Sequence, residues 1–207
     1  MPEKPVDRRI IRTNRLIRDT LTELMKEKGF EGITVNELTA KADINRGTFY
    51  LHYRDKQDLL EQSEDEIINE ISKILSASQK ISPEETLHYG SHDEPFPFII
   101  KLFDYIKDNS SFIKTLLGPK GDPSFQVKLK EVLRKTLLKK SHQLRKEEMM
   151  VPPDYLIAYV CSAYLGLIQH WLESGMKESP RDISLILLRI NLSGPGKAAG
   201  LLNTSKS

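Results

Sequence analysis

An all-α fold is the architecture this sequence predicts, and three observations lead there. Apolar residues recur every three or four positions through most of the 207-residue chain, the spacing that puts a continuous stripe on one helix face. No run of alternating β-branched residues reads as a strand. Helix-starting residues and Pro or Gly breaks separate the stripes at intervals suited to short and medium helices.

The elements follow in order. Ile10, Ile17, Leu21 and Leu24 share a stripe, and Gly29 stands where a helix end wants a left-handed residue. Thr34 and Glu37 have the spacing of a capping box, in which hydroxyl and carboxylate each satisfy an unpaired backbone amide, so a short helix is expected over 35–41. Asp43 and Ile44 turn the chain, and Asn45 caps a second short helix. Asp55 caps the next, with Asp58 in its first turn, and Leu59, Leu60, Ile67, Ile71 and Ile74 carry that helix to about residue 78. Pro83, Gly90, Pro95 and Pro97 make 82–97 an expected loose stretch with little beyond one turn. Further helices are expected at 97–108, 110–117, 124–148, 153–174 and 180–192, divided by Gly118-Pro119, Gly121-Asp122-Pro123, Pro152-Pro153 and Gly175. Residues 193–207, with Gly194, Pro195, Gly196 and a Ser/Lys ending, read as a flexible tail.

A chain of this length holds one small domain and one larger core, here residues 1–55 and 56–192. The net charge of +2 excludes a polycation that coats nucleic acid indiscriminately, so any such contact must rest on local charge. The first eighteen residues supply it: Lys4, Arg8, Arg9, Arg12, Arg15 and Arg18 face only Glu3 and Asp7, a local balance of +4. Arg8, Arg12 and Arg15 fall on one helix face. Cys161 is alone, which excludes an internal disulfide and a multi-cysteine zinc site and fits a reducing compartment. The start MPEKPVDRRI has no apolar export signal, and the cytoplasm is the expected location. Residues 155–172 form an uncharged run of near-membrane length, yet Tyr155, Tyr159, Ser162, Tyr164, Gln169 and His170 interrupt it; a buried helix is expected, and no membrane partner.

Two short helices joined by a tight turn make a helix-turn-helix, whose second member enters the DNA major groove N-terminus first. The residues from Asn45 onward suit that task. Arg46 offers a bidentate fork for guanine, Thr48 and Tyr50 reach phosphate or a thymine methyl, and Gly47 lets backbone come close. Lys56, opening the next helix, can neutralise a phosphate with its charge and its amide. Thr34, at the start of the first short helix, and His52, at the end of the second, complete the candidate DNA-binding set.

These residues sit in a pattern that resembles the TetR family of bacterial transcriptional regulators. The resemblance runs from Gly29-Phe30 through ITVNELTAKADINRGTFYLHYRDKQDLL to WLESGMKESP at 171–180, and NSSFIKTLLGPKGDPSF resembles effector domains of a Firmicutes subgroup. The chain departs where the family usually has Phe and a pair of alanines, carrying Tyr53 and Thr20-Leu21. The resemblance implies a homodimer formed by the last two helices. Ala158, Ser162, Ala163 and Gly166 are small enough for close helix approach, and Ile183, Ile186, Leu187 and Ile190 give the final helix an apolar stripe. Two reading helices about 34 to 36 Å apart would match a palindromic operator. By the same analogy a small-molecule effector enters a cavity among the middle helices, which Phe98, Phe103, Phe112, Phe125, Tyr159 and Trp171 could line, and shifts the long fourth helix to release DNA.

Two other readings compete with a ligand-released repressor. One is a helix-turn-helix regulator controlled by a protein partner; a cavity of about 300 to 1,000 Å³ among the middle helices argues against it. The other is a helical-bundle enzyme. Nothing in the sequence favours catalysis or a cofactor: GPGKAAG lacks the spacing of a phosphate loop, and His52, His88, His92, His142 and His170 form no zinc-binding motif.

Overall fold

The computed structural model describes residues 8–141 and 149–199. These residues form ten α-helices and no strand: α1 (Arg8–Lys28), α2 (Val35–Lys41), α3 (Arg46–His52), α4 (Lys56–Ser76), α5 (Pro83–Ser91), α6 (Pro97–Asp108), α7 (Ser110–Leu117), α8 (Pro123–Ser141), α9 (Pro153–Glu173) and α10 (Pro180–Ala198), with a 3-10 turn at Ala77–Lys80.

The chain divides into two compact units, Met1–Asn69 with Ser111–Val127, and Glu70–Ser110 with Lys128–Ser207. This differs from a linear cut at residue 55. The chain passes between units three times, within α4, at the first residue of α7 and within α8.

In the first unit, Ile17, Leu21, Leu24 and Met25 of α1 are buried together with Leu38, Phe49, Leu59 and Leu60. Thr20 and Thr22 are buried as well, and their hydroxyls donate to the Leu16 and Arg18 carbonyls at 2.9 and 2.7 Å, so neither costs an unpaired polar group. Gly29 takes φ 76° and donates to the Met25 carbonyl at 2.9 Å, closing α1 in the left-handed geometry that glycine adopts without steric cost. α7 belongs to this unit, with Phe112 buried and the Arg18 guanidinium 5.8 Å from its ring centroid. Lys120 in the following turn donates to the Lys26 and Glu27 carbonyls, both at 3.0 Å, and so satisfies acceptors that the end of α1 leaves open.

The second unit is centred on α6, α9 and α10. Phe103 and Trp171 pack edge to face with centroids 5.2 Å apart, and the Trp171 indole donates to the Glu178 carbonyl at 3.0 Å. Such pairs add about 1 kcal/mol beyond their buried area. The WLESGMKESP segment is the corner between α9 and α10: the Met176 amide returns to the Trp171 carbonyl at 2.9 Å, and the Ser179 hydroxyl caps α10 by accepting from the Asp182 amide at 3.2 Å.

Two expectations about order need correction. The stretch 82–97 holds the nine-residue α5, not a single turn. Ser82 and Glu85 form a capping box, with the Ser82 hydroxyl accepting from the Glu85 amide at 3.1 Å and Glu85 Oε2 accepting from the Ser82 amide at 2.8 Å. Pro83 occupies a first-turn position where its missing N–H costs nothing, and Gly90 serves close packing, since a Cβ there would lie 2.5 Å from Leu192 Cδ1. The expected tail from 193 is also partly helical. Gly194, at φ 70° and ψ 161°, breaks α10, and Pro195 restarts a short turn that reaches Ala198. Residues 200–207, and 142–148 at the expected end of α8, lie outside the described residues.

Candidate nucleic-acid interface and an apolar cavity

Local capping builds the helix-turn-helix. The Thr34 hydroxyl accepts from the Glu37 amide at 3.3 Å, and Glu37 Oε2 accepts from the Thr34 amide at 3.0 Å. Glu37 also pairs with Lys28. These donors, Lys28 first, hold its carboxyl at about 2, below the usual 4.5. Between α2 and α3, Asp43 takes φ 51°, a left-handed position that Asp tolerates better than most residues, and the Ile44 amide reaches the Thr39 carbonyl at 3.0 Å. Asn45 Oδ1 accepts from the Gly47 amide at 2.7 Å and starts α3.

α3 has two faces. Phe49 is fully buried, and Tyr53, just past the helix end, is 6% exposed, their rings 5.7 Å apart. The other face presents Arg46, Gly47 and Tyr50 to solvent, with Thr48 half-buried. The Arg46 guanidinium lies 5.9 Å from the Tyr50 ring centroid and 3.4 Å from its hydroxyl. Tyr50 also meets the buried Phe49 ring edge-on at 5.5 Å, while the exposed Arg46 guanidinium is free to turn outward. Asn45 and Thr34 are exposed, and His52 is half-buried against Tyr53 at 6.1 Å.

α4 begins as expected, with Asp55 Oδ1 accepting from the Asp58 amide at 2.8 Å. Asp58 in turn accepts from the Arg54 amide at 2.8 Å and guanidinium at 3.0 Å, bonds that lower its carboxyl from 3.8 to about 2. Lys56 has a second task the sequence did not reveal. Its ammonium donates to the Phe30 and Glu31 carbonyls at 3.2 and 2.9 Å and lies 4.8 Å from the Phe30 ring centroid, leaving its first-turn amide as the group best placed for a phosphate. On α1, Arg9, Arg12 and Arg15 are exposed, and Arg18 is largely covered.

The second unit holds a cavity of about 350 Å³ that opens to solvent beside Leu156, Asn191 and Leu192. Phe98 lines it. The other five aromatics expected there lie elsewhere: Phe103 and Trp171 form their own buried pair, Phe112 and Phe125 are buried in the first unit, and Tyr159 is 53% exposed. Large aromatics in a small fold fill the core before they line a void. The walls come instead from Phe96, Leu133, Leu187 and Leu192, with Tyr164 and Asn191 as polar members. Sequence reading missed this pair because its partners stand 27 positions apart on different helices.

Of the residues expected to meet a second copy, Ala158, Ser162 and Gly166 are exposed and Ile186 and Ile190 half-buried. Ile183 and Leu187 are buried within their own chain, because α10 packs along α6. α9 is long and apolar enough to cross a membrane, with 33% of its apolar window buried; Ile157, Cys161, Leu165, Ile168 and Leu172 form its buried stripe. Burial pushes the Cys161 thiol up, which disfavours the reactive thiolate. His88 and His92 stack at 4.2 Å, and no cluster of three metal-ligating side chains occurs among the described residues.

Comparison with known proteins accords with this geometry. Residues 17–62 match the bacterial regulatory proteins of the tetR family, and residues 93–192 match a transcriptional regulator C-terminal region. A helix-turn-helix-type transcriptional regulator of Bacillus subtilis, YxbF, is 36% identical over 88 residues, covering 40% of this chain and 23% of the relative, so the match spans about a quarter of that protein's length. A TetR transcriptional regulator from Streptococcus agalactiae shares the fold with TM-score 0.58 and 22% identity over 89% of this chain and 96% of its own. The regulator FadR from Bacillus subtilis, solved with stearoyl-CoA, does so with TM-score 0.58 and 16% identity over 87% and 98%. The two matched regions take in the helix-turn-helix and most of the helices beyond it, and the chain belongs to the TetR family of bacterial regulatory proteins.

Proposed function

We propose that this protein is a cytoplasmic, homodimeric transcriptional repressor that binds a palindromic operator through its two α3 helices and leaves it when a small molecule fills the second unit. One observation carries the DNA-binding part: α3 buries Phe49 in the core while turning Arg46, Gly47 and Tyr50 to solvent at a capped helix start. Arg46 reads a guanine edge, while Thr34, Asn45, Thr48, Tyr50, His52 and the Lys56 amide position the helix on phosphates and neighbouring bases.

The exposed face of α9 supports dimerisation. Tyr155, Ala158, Tyr159, Ser162 and Gly166 are exposed on its uncharged stretch 155–172, a surface of the kind that marks association. The cavity supports control by a small molecule over control by a protein partner, because it falls within the range of ligand sites. The FadR structure with stearoyl-CoA provides a precedent in the same fold. The segment 56–192 would then serve as the effector-binding and dimerisation region, with α4 and α8 as continuous links between the units.

Selection of duplexes from a random pool tests this reading. A palindromic consensus bound by a species of dimer mass is expected, and Arg46→Ala should relax preference at one base pair in each half-site. A protein that stays monomeric and enriches no sequence would refute it.

A further inference from the structure

The cavity wall carries an unusual polar inventory. Four hydroxyl residues line it, Ser78, Thr86, Thr136 and Ser184. Each has its proton committed to its own helix, donating to the carbonyls of Leu75, Ser82, Val132 and Pro180 at 2.7, 3.0, 2.9 and 2.6 Å. Their oxygens can still accept weakly, but none is available to donate. Tyr164 is different. Its hydroxyl accepts from Asn191 Nδ2 at 2.8 Å, which leaves its proton to be donated. Burial pushes the phenol above its ordinary pKa, so that proton is retained at neutral pH. No Lys, Arg, Asp or Glu is among the described lining residues, and the rest of that wall is aliphatic and aromatic.

From this lining, which rests on reading the cavity as the effector site, the geometry points to an uncharged, mostly hydrocarbon ligand with one carbonyl-type acceptor, held by the Tyr164 hydroxyl with Asn191 behind it. A charged headgroup finds no counter-ion among the described lining residues, and desolvating an ion without one costs more than a single hydrogen bond returns. A volume of about 350 Å³ lies at the lower end of the range of small-molecule sites, which suits a ligand of modest size. Asn191 orients the phenol by donating to it, so its role is positioning.

Calorimetric titration of the full chain tests this with four probes of similar length: 2-nonanone, nonanoate, octyltrimethylammonium and 1-chlorooctane. Saturable binding of 2-nonanone, one per chain and at least roughly a hundredfold tighter than either ion, is expected from the cost of burying an unpaired charge. Tyr164→Phe should weaken 2-nonanone roughly three- to tenfold, the worth of one neutral hydrogen bond, while leaving 1-chlorooctane unchanged. A purely structural role would weaken both. Leu188→Trp, which fills the cavity, should abolish both, and Ser184→Leu replaces it if that variant fails to fold.

Tighter binding of either ion, equal loss of both neutral probes in Tyr164→Phe, or no saturable binding of any probe overturns the inference. The operator duplex is assayed separately. If 2-nonanone binds as expected yet does not dissociate the operator, the ligand class stands and the release mechanism falls.

Discussion

The reading helix and the cavity are assembled over very different distances along the chain. The caps that set the α3 surface, from Thr34 to Asp55, lie within 22 consecutive residues and bond amides two or three positions away. The cavity takes its walls from positions between Leu75 and Leu192, and its polar pair joins α9 to α10. A surface built locally can be altered one residue at a time without disturbing the rest. A void built from distant helices changes with any of them, which makes it the region more easily retuned for a new ligand.

That contrast can be broken most forcefully at Phe49. Phe49→Ala removes a fully buried ring from beneath α3 and should cost about 3–5 kcal/mol, read as a lower urea midpoint together with loss of operator binding. If ligand binding in the second unit vanished in parallel, the two regions would not be separable. Arg46→Ala is the complementary change. It should forfeit about 1–3 kcal/mol of discrimination at one base pair, measured across single-base operator variants, with stability altered by no more than about 0.5 kcal/mol.

On the cavity side, Leu137→Phe adds volume to a wall position. A stabilisation of about 0.5–2 kcal/mol is expected from filling the void, together with weaker 2-nonanone binding and unaltered sequence preference on DNA. Destabilisation in thermal unfolding would mean the space is filled by other means. The smallest effect concerns acid. Glu37 and Asp58 both have carboxyls at about 2 in the folded protein, below their ordinary values of 4.5 and 3.8. Their contribution is therefore complete above pH about 4.5 and is lost as pH falls toward 2. Hydrogen exchange should show the Thr34 and Arg54 amides, which donate to those two carboxylates, losing protection in that window before the buried amides of α9; simultaneous loss would assign acid sensitivity to the whole fold.

Legibility in the sequence followed the same division. The boundaries of α2 and α3 were readable because capping residues act on amides two or three positions away, as Thr34 and Asn45 do. α5 was not, because Pro83 and Gly90 carry meanings that depend on context. One begins a helix and the other makes room for Leu192, and in isolation both read as breakers. The aromatic lining failed for a related reason: apolar spacing reveals that Phe103 or Trp171 faces inward, and both a packed core and a cavity lie inward.

By itself, then, the sequence determined the all-helical architecture and the boundaries of the two short helices of the helix-turn-helix, because periodicity, caps and turns act over a few positions. Only the tertiary structure decided that 111–127 joins the N-terminal unit, that Lys56 braces the Phe30–Glu31 carbonyls, and that Tyr164 meets Asn191 at the wall of a cavity. These depend on how side chains from distant segments fill a shared volume. No local rule carries that information, because packing is a property of neighbours in space.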